Sequence, residues 1–288
     1  MKTKSILAVL LVIYAALWFN GCDNENNKSN TSVEFDTIVV QKQIPLIEVA
    51  DSTLPFADFK INFIYPSKFG NDSSLIKLQQ IFVQEFFGDS IDSSLSVINA
   101  LNQYQTNYTK EYQSLSEYFE SDKQKMDGKI PMWYWYFINL ENIINFKNDS
   151  LLSFAVEYSD YTGGAHGSFN VKNVNVDLKK IKVIKEQDIF IADYKPILTE
   201  KILNRLMEKY NISTIDSLDT AGFIFPEGIA PNNNFWLDAD SIHYEYNQYE
   251  IAPYYMGVTE VAIPYSDLNN ILLPDGFLKW FINKEQKD

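Results

Sequence analysis

The sequence predicts an α+β protein, mainly antiparallel sheets with packed helices, and three observations predict it. Leu152, Phe154, Val156 and Tyr158 alternate with Ser153, Ala155, Glu157 and Ser159, the period of a half-buried antiparallel strand. Val97, Leu101, Tyr104, Tyr108, Tyr112, Leu115 and Phe119 instead recur at steps of three or four, an amphipathic helix. The order of such segments is strands, helices, strands, helix, strands, which is α+β rather than alternating β and α. The expected division is a smaller N-terminal half over 33–150 and a larger C-terminal half over 151–288.

The first element is not part of the fold. Lys2 and Lys4 precede an uncharged apolar run from Ile6 to Phe19, and Asn20-Gly21 lead into Cys22. The run is shorter than the roughly 20 residues a bilayer span needs. Residues 1–21 therefore read as a secretion signal whose cleavage leaves Cys22 as the N-terminus, ready for acylation by a chain such as palmitate. Phe19 and Asn20 stand where such signals carry Leu and Ala or Ser, so the competing reading is an ordinary signal peptide with an incidental cysteine. Residues 22–32 follow Cys22 with DNENNKSNTS, a polar tether without an apolar residue.

Strands are expected over Val33–Ile47 and Phe59–Tyr65, the latter closed by Pro66. Asp72 is placed to cap a helix bearing Leu75, Leu78, Phe82 and Phe86, with Gly88 at its C-terminal end. The long aromatic-striped helix comes next, its tyrosines read as core packing. After the strand at 152–159, Phe169 and Val171 share one phase while Val174, Val176 and Leu178 take the other. A β-bulge near Lys172-Asn173 would reconcile them. A helix is expected over Tyr194–Tyr210 with Leu198, Ile202 and Leu206 inward. Strands return over Asn234–Tyr249 and Val258–Pro264, and Ser266 starts a short helix. No internal repeat is visible.

Composition narrows the function. Formal charge is −14, and about −16 once two lysines and no acid leave with the leader. Such a surface repels phosphate backbones, which argues against nucleic acid. It also argues against peripheral binding to anionic lipid, so any membrane link is expected through the N-terminal lipid. An aromatic share of 15% is far above that of a disordered chain. With Cys22 the lone cysteine, no internal disulfide and no cysteine–metal site can form. No cofactor is implied.

Candidate chemistry is sparse. His166 and His243 are the two histidines, and neither has the spacing of a zinc motif, so no metal site is expected. His243 alternates within a strand and reads as a surface or rim residue. Ser168, in GAHGSF, lacks the nucleophile-elbow pattern. The segment Tyr161-Thr162-Gly163-Gly164-Ala165-His166-Gly167 is different in kind. Three glycines in five positions interrupt two good strands, which points to positive φ or a close backbone approach. Its plain reading is a tight turn with a histidine packed on it, in which Gly164→Ala would unfold the domain.

Several stretches together resemble one family. The YTGGAHG turn is followed by Asn175-Val176-Asp177-Leu178 and Asp188-Ile189-Phe190. Downstream come Asn234-Phe235-Trp236-Leu237, then YEIAPYYMG over 249–257 and VAIPYSDL over 261–268. These resemble the extracytoplasmic domain family shared by the lysozyme-sensing anti-sigma factor RsiV and the peptidoglycan deacetylase PdaC, over most of residues 34–273. Ile64-Tyr65-Pro66 and the helices after it are similar to the N-terminal half in those proteins. The resemblance implies a protein-binding or cell-wall role, with lysozyme, a basic protein, as the ligand of one branch. The deacetylase's separate catalytic domain has no counterpart in this sequence, so a non-enzymatic module is expected. The ligand would be a basic protein such as lysozyme or a peptidoglycan fragment.

On that reading Tyr161, Gly163, Gly164, His166, Gly167, Tyr249, Glu250 and Tyr254 form one binding face, with Tyr255 adding contact area. The alternative is an envelope hydrolase acting on peptidoglycan or an ester through His166 and a nearby acid. The acids after Cys22, Asp23 and Glu25, resemble the export tag of Bacteroidetes lipoproteins, which implies an outer-membrane location. Thr37, Ser52, Ser90, Ser150, Ser217, Thr220 and Ser241 each follow Asp and precede an apolar residue or Thr. This resembles the O-glycosylation acceptor pattern of the same bacteria, while turn and cap chemistry also favours Asp-Ser.

Overall fold

Six strands pair in chain order in the computed structural model, which describes residues 32–49, 51–224 and 228–285. They are Glu34–Pro45 (β1), Phe56–Lys68 (β2), Tyr136–Lys147 (β3), Leu151–Tyr161 (β4), Ser168–Asp177 (β5) and Lys182–Ile184 (β6). The expected leader over 1–21, Cys22 and nearly all of the tether lie outside the described residues. β2 and β3 are parallel and every other pair is antiparallel. The exception has a cause in the chain. A parallel pair needs a long crossover, and three helices occupy it: Asp72–Phe87 (α1), Val97–Ser114 (α2) and Ser116–Lys125 (α3).

These helices cover one face of the sheet. Phe63 stacks on Phe86 and Phe82 on Phe154, each with ring centroids 4.2 Å apart. Phe59, Phe119 and Tyr112 are buried beside them. The cap of α1 is Asn71, whose side chain accepts from Ser74 N, rather than Asp72. Gly88 ends the helix at φ +74. The long striped helix is two helices, because the chain turns at Leu115 between α2 and α3.

A second core begins on the other face. Phe235–Leu237 (β7), Ser241–Tyr246 (β8) and Thr259–Pro264 (β9) form an antiparallel three-stranded sheet. Its apolar face packs on Lys195–Tyr210 (α4) and, after the short helix Asp216–Thr220 (α5) in the chain, on Phe277–Glu285 (α6), burying Leu198, Ile202, Leu206, Tyr244, Ile263 and Phe281. The short helix expected at Ser266 is a 3-10 turn over Tyr265–Leu268.

The β7 edge stands against β4 and β5, where side chains replace a missing strand. Asn175 Nδ2 donates to Phe235 O at 2.7 Å and its Oδ1 accepts from Leu237 N at 2.8 Å. Ser153 Oγ donates to Leu237 O at 2.7 Å. Buried backbone groups must find partners, and here amide and hydroxyl side chains supply them. Asn142 does the same where β2 and β3 part, with two 2.8 Å bonds to Ile64.

This contact corrects two expectations. β4 is not half-buried over its first half, because Ser153 and Ala155 lie under the second sheet while Leu152 and Phe154 face the helices. β5 pairs with β4 in unbroken register from Ser168 to Asp177, so it has no bulge at Lys172-Asn173. The change of phase marks where both its faces become covered. The boundary expected at 150/151 falls in the turn between β3 and β4, which pair along nearly their whole length.

Both ends of the described chain meet at that turn. Lys147 Nζ donates to Val33 O at 3.0 Å, and Asn148 Nδ2 to Glu285 Oε1 at 3.1 Å. From there β4 runs eleven residues to the turn that carries His166, roughly 35 Å at strand rise. The ends of the described chain and the glycine turn therefore occupy opposite poles.

Candidate functional site

At the distal pole the two cores contribute to one surface. The β4–β5 turn brings His166 to the loop between β8 and β9. His166 and Tyr254 have ring centroids 4.2 Å apart, and His166 Nε2 lies 3.1 Å from the Tyr249 hydroxyl. Tyr249 is held at φ +66 and Gly257 at +69, so the loop doubles back sharply and turns its rings outward. Tyr161 stacks on Phe137, its cross-strand partner, at 6.4 Å and 17°. Trp133 and Phe137, 42% and 40% exposed, belong to this surface although the sequence reading did not single them out. The run IPMWYWYF carries no signal of exposure of its own, and only its position beneath the glycine turn shows that part of it is open.

Two of the three glycines are required by geometry. A Cβ at Gly163, where φ is +87, would meet Trp133 O at 2.5 Å, and one at Gly167 would meet Asp160 O at 2.6 Å. Gly164 has neither constraint, since its nearest neighbour would be 3.6 Å away. The expectation that Gly164→Ala unfolds the domain is therefore corrected, and the strain belongs to Gly163.

The acids of this pole are already engaged. Glu250 accepts from Asn232 Nδ2 at 2.7 Å and from Asn247 N at 2.9 Å, so it closes its own loop. Asp160 accepts from Ser168 Oγ and Tyr158. His166 Nδ1 lies 2.8 Å from Gly167 O, and among the described residues no carboxylate bonds its ring. An acid-assisted base, the requirement of the hydrolase reading, is not assembled there.

His243 lies in a different setting, the corner between the outer face of β7–β9 and the open face of β3–β4. Its ring stacks on Trp236 at 3.7 Å and 7°. Its Nδ1 meets Glu260 at 2.6 Å and its Nε2 meets Asp238 at 2.9 Å. Burial disfavours its charge, but the bonds to Glu260 and Asp238 outweigh that and raise its pKa above the usual histidine value. His243 is thus a clamped, mostly covered ring rather than an open surface residue, with its side chain 13% exposed. Glu141 and Glu157 oppose each other across β3 and β4 in the same corner. Burial, then Glu141 and Glu245, raise the Glu157 pKa.

Two further features are structural. Glu186, fully buried, accepts from the Tyr194 and Tyr244 hydroxyls and from Asn233 N. A polar groove of about 670 Å³ follows the free edge of β5, spanned by a 2.6 Å Lys172–Glu85 ion pair. Val171 on that edge is bonded by Asn247 and Asn234, so amides cap it. Of the Asp-Ser and Asp-Thr positions, Thr37, Ser52, Ser90 and Thr220 are exposed, and Ser217 and Ser241 are half-buried. Ser150 is fully buried and accepts from Lys284, so the folded protein closes that expected glycan site.

Comparison with known proteins divides the chain much as its cores do. A family model described as a protein of unknown function, DUF3298, matches residues 187–266, and one described as deacetylase PdaC matches 57–169. The peptidoglycan-N-acetylmuramic acid deacetylase PdaC of Bacillus subtilis (strain 168) is 30% identical over 136 residues, 45% of this chain and 28% of the deacetylase. The anti-sigma-V factor RsiV of the same organism is 24% identical over 192 residues, 65% of each protein. The chain thus spans less than two thirds of either relative.

Two crystal structures share its fold. A DUF3298-family member from Bacteroides fragilis NCTC 9343 is 32% identical with a TM-score of 0.81, over 91% of this chain and 100% of that one. A DUF3298-family protein from Pseudomonas aeruginosa PAO1 is 17% identical with a TM-score of 0.55, over 84% and 95%, a likeness of fold alone.

Proposed function

This chain belongs to the DUF3298 family, and we propose that it is a non-enzymatic binding module of the cell envelope. It holds a protein, lysozyme-like in being basic, or a cell-wall fragment, and transforms neither. One observation carries this reading: the aromatic pole lies at the end of the molecule opposite both ends of the described chain. A module tethered by its N-terminus presents that pole away from the anchor. The anchor is Cys22 with its lipid, in the outer membrane. Among the described residues no helix is long and apolar enough to cross a membrane.

The relatives are consistent with this role, one being named for an activity on peptidoglycan and one for control of a sigma factor. A net charge of −14 would steer a basic partner towards the domain. Thr37, Ser52, Ser90, Ser217, Thr220 and Ser241 are the sites left for O-glycans. Retention of lysozyme or muropeptides on the immobilised protein tests the reading. Release by Tyr254→Ala is the expected result, and retention of neither ligand overturns it. Intact mass of the native protein reads the acyl and glycan additions directly.

A further inference from the structure

We propose that the distal pole binds an uncharged pyranose chain, by stacking sugar rings on two aromatic platforms that flank the Gly163–Gly167 turn. This rests on the binding-module reading and names its ligand class. One platform is the Phe137–Tyr161 pair with Trp133 beside it, and the other is His166 with Tyr254 and Tyr249. Trp133, Phe137 and Tyr249 are each at least 40% exposed, and Tyr254 is 36% exposed. The two platforms come from different cores and are joined through Gly163 against Trp133 and Gly167 against Phe137. A surface built this way accepts at least two successive rings.

Charge selects the occupant. Glu250 and Asp160 each accept an internal hydrogen bond at both oxygens, which ties them to their own loops rather than aiming them at a ligand. No lysine or arginine stands within residues 161–167 or 249–257, and the domain is strongly acidic, so phosphate and anionic headgroups are disfavoured. The apolar face of a pyranose meets an aromatic ring without either charge. Its hydroxyls find the tyrosine hydroxyls and the open backbone of the turn. The rings are rigid before binding, each with two side-chain torsions and several locked by mutual contact, so little freedom is lost on association.

The test is a titration of the full chain with a neutral β-linked oligosaccharide, chitotetraose, followed by tryptophan and tyrosine fluorescence. Saturable binding that persists at high salt is expected. Tyr254→Ala and Tyr249→Ala should each weaken it about tenfold or more, with unchanged melting temperatures. Trp280→Ala, at an exposed ring on α6 near the chain ends, should leave it unaltered. Absence of saturable binding, or binding that survives both tyrosine substitutions, overturns the proposal. If a basic protein is then retained and Tyr254→Ala releases it, the binding-module reading stands while the sugar assignment fails. If nothing is retained, both fail.

Discussion

The two histidines occupy opposite kinds of surface. His243 is sandwiched against Trp236 and bonded at both ring nitrogens by carboxylates, which joins β8 to β9 and to the turn after β7. His166 is exposed, bonded to its neighbour's carbonyl and to a tyrosine hydroxyl, with tyrosine rings on its faces. The first site uses charge to complete the fold. The second keeps charge out and leaves rings open. A ligand that needs carboxylates would look to the His243 corner, and one that needs aromatic faces would look to the His166 pole.

The strongest way to break this comparison is to move the turn beneath His166. Gly163→Ala places a methyl group on Trp133 O at a φ that side chains rarely adopt. A loss of about 3 kcal/mol is expected, read as a fall in melting temperature of roughly 6–12 °C. Gly164→Ala should melt with the parent protein. Equal melting of all three proteins would show that the turn bears no strain.

Removing the His243 ring comes next. His243→Ala leaves Asp238 and Glu260 facing each other without it. About 2 kcal/mol is expected, discounted because Glu260 is 44% exposed. The effect should depend on pH, and its sign follows from the shifts. A raised histidine pKa gives stability that is full below the unfolded value near 6.5 and lost as pH rises through the folded value. Glu260 is held low by its bond from His243, against burial. Asp238 is held low despite burial, by Asp240, His243 and Ser241. Their contributions are present above the unfolded values near 4 and fade as pH falls. The gap between parent and variant should thus be widest between about pH 4.5 and 6.5. A gap that grows from pH 7 to 9 would reverse the assignment of charge.

How much of this was legible depends on the range of the interaction. α1 and α4 follow from local periodicity and so does the pairing phase of β4, because each needs only its own residues. The meeting of the glycine turn with the 249–257 loop came through the family resemblance, and neither segment shows it alone. The His243 clamp was hidden, since Asp238 and Glu260 reach it from a turn and from the neighbouring strand. The phase change in β5 suggested a bulge because a second sheet covering the strand cannot be seen from the strand itself. Trp133 and Phe137 were not singled out, because an aromatic run does not say which face of a sheet remains open.

The smallest expected effect is at His166, where His166→Ala removes two exposed hydrogen bonds and two ring contacts. Surface changes of this kind usually stay within about 0.5 kcal/mol. Thermal melting should therefore hardly move, and show no pH window of the kind expected for His243→Ala. The near-ultraviolet circular dichroism of the tyrosines should change, because Tyr249 and Tyr254 each lose the neighbouring imidazole ring. If His166→Ala instead melts as early as His243→Ala, the pole is part of the framework, its rings are held for stability rather than for a ligand, and the contrast between the two histidines disappears.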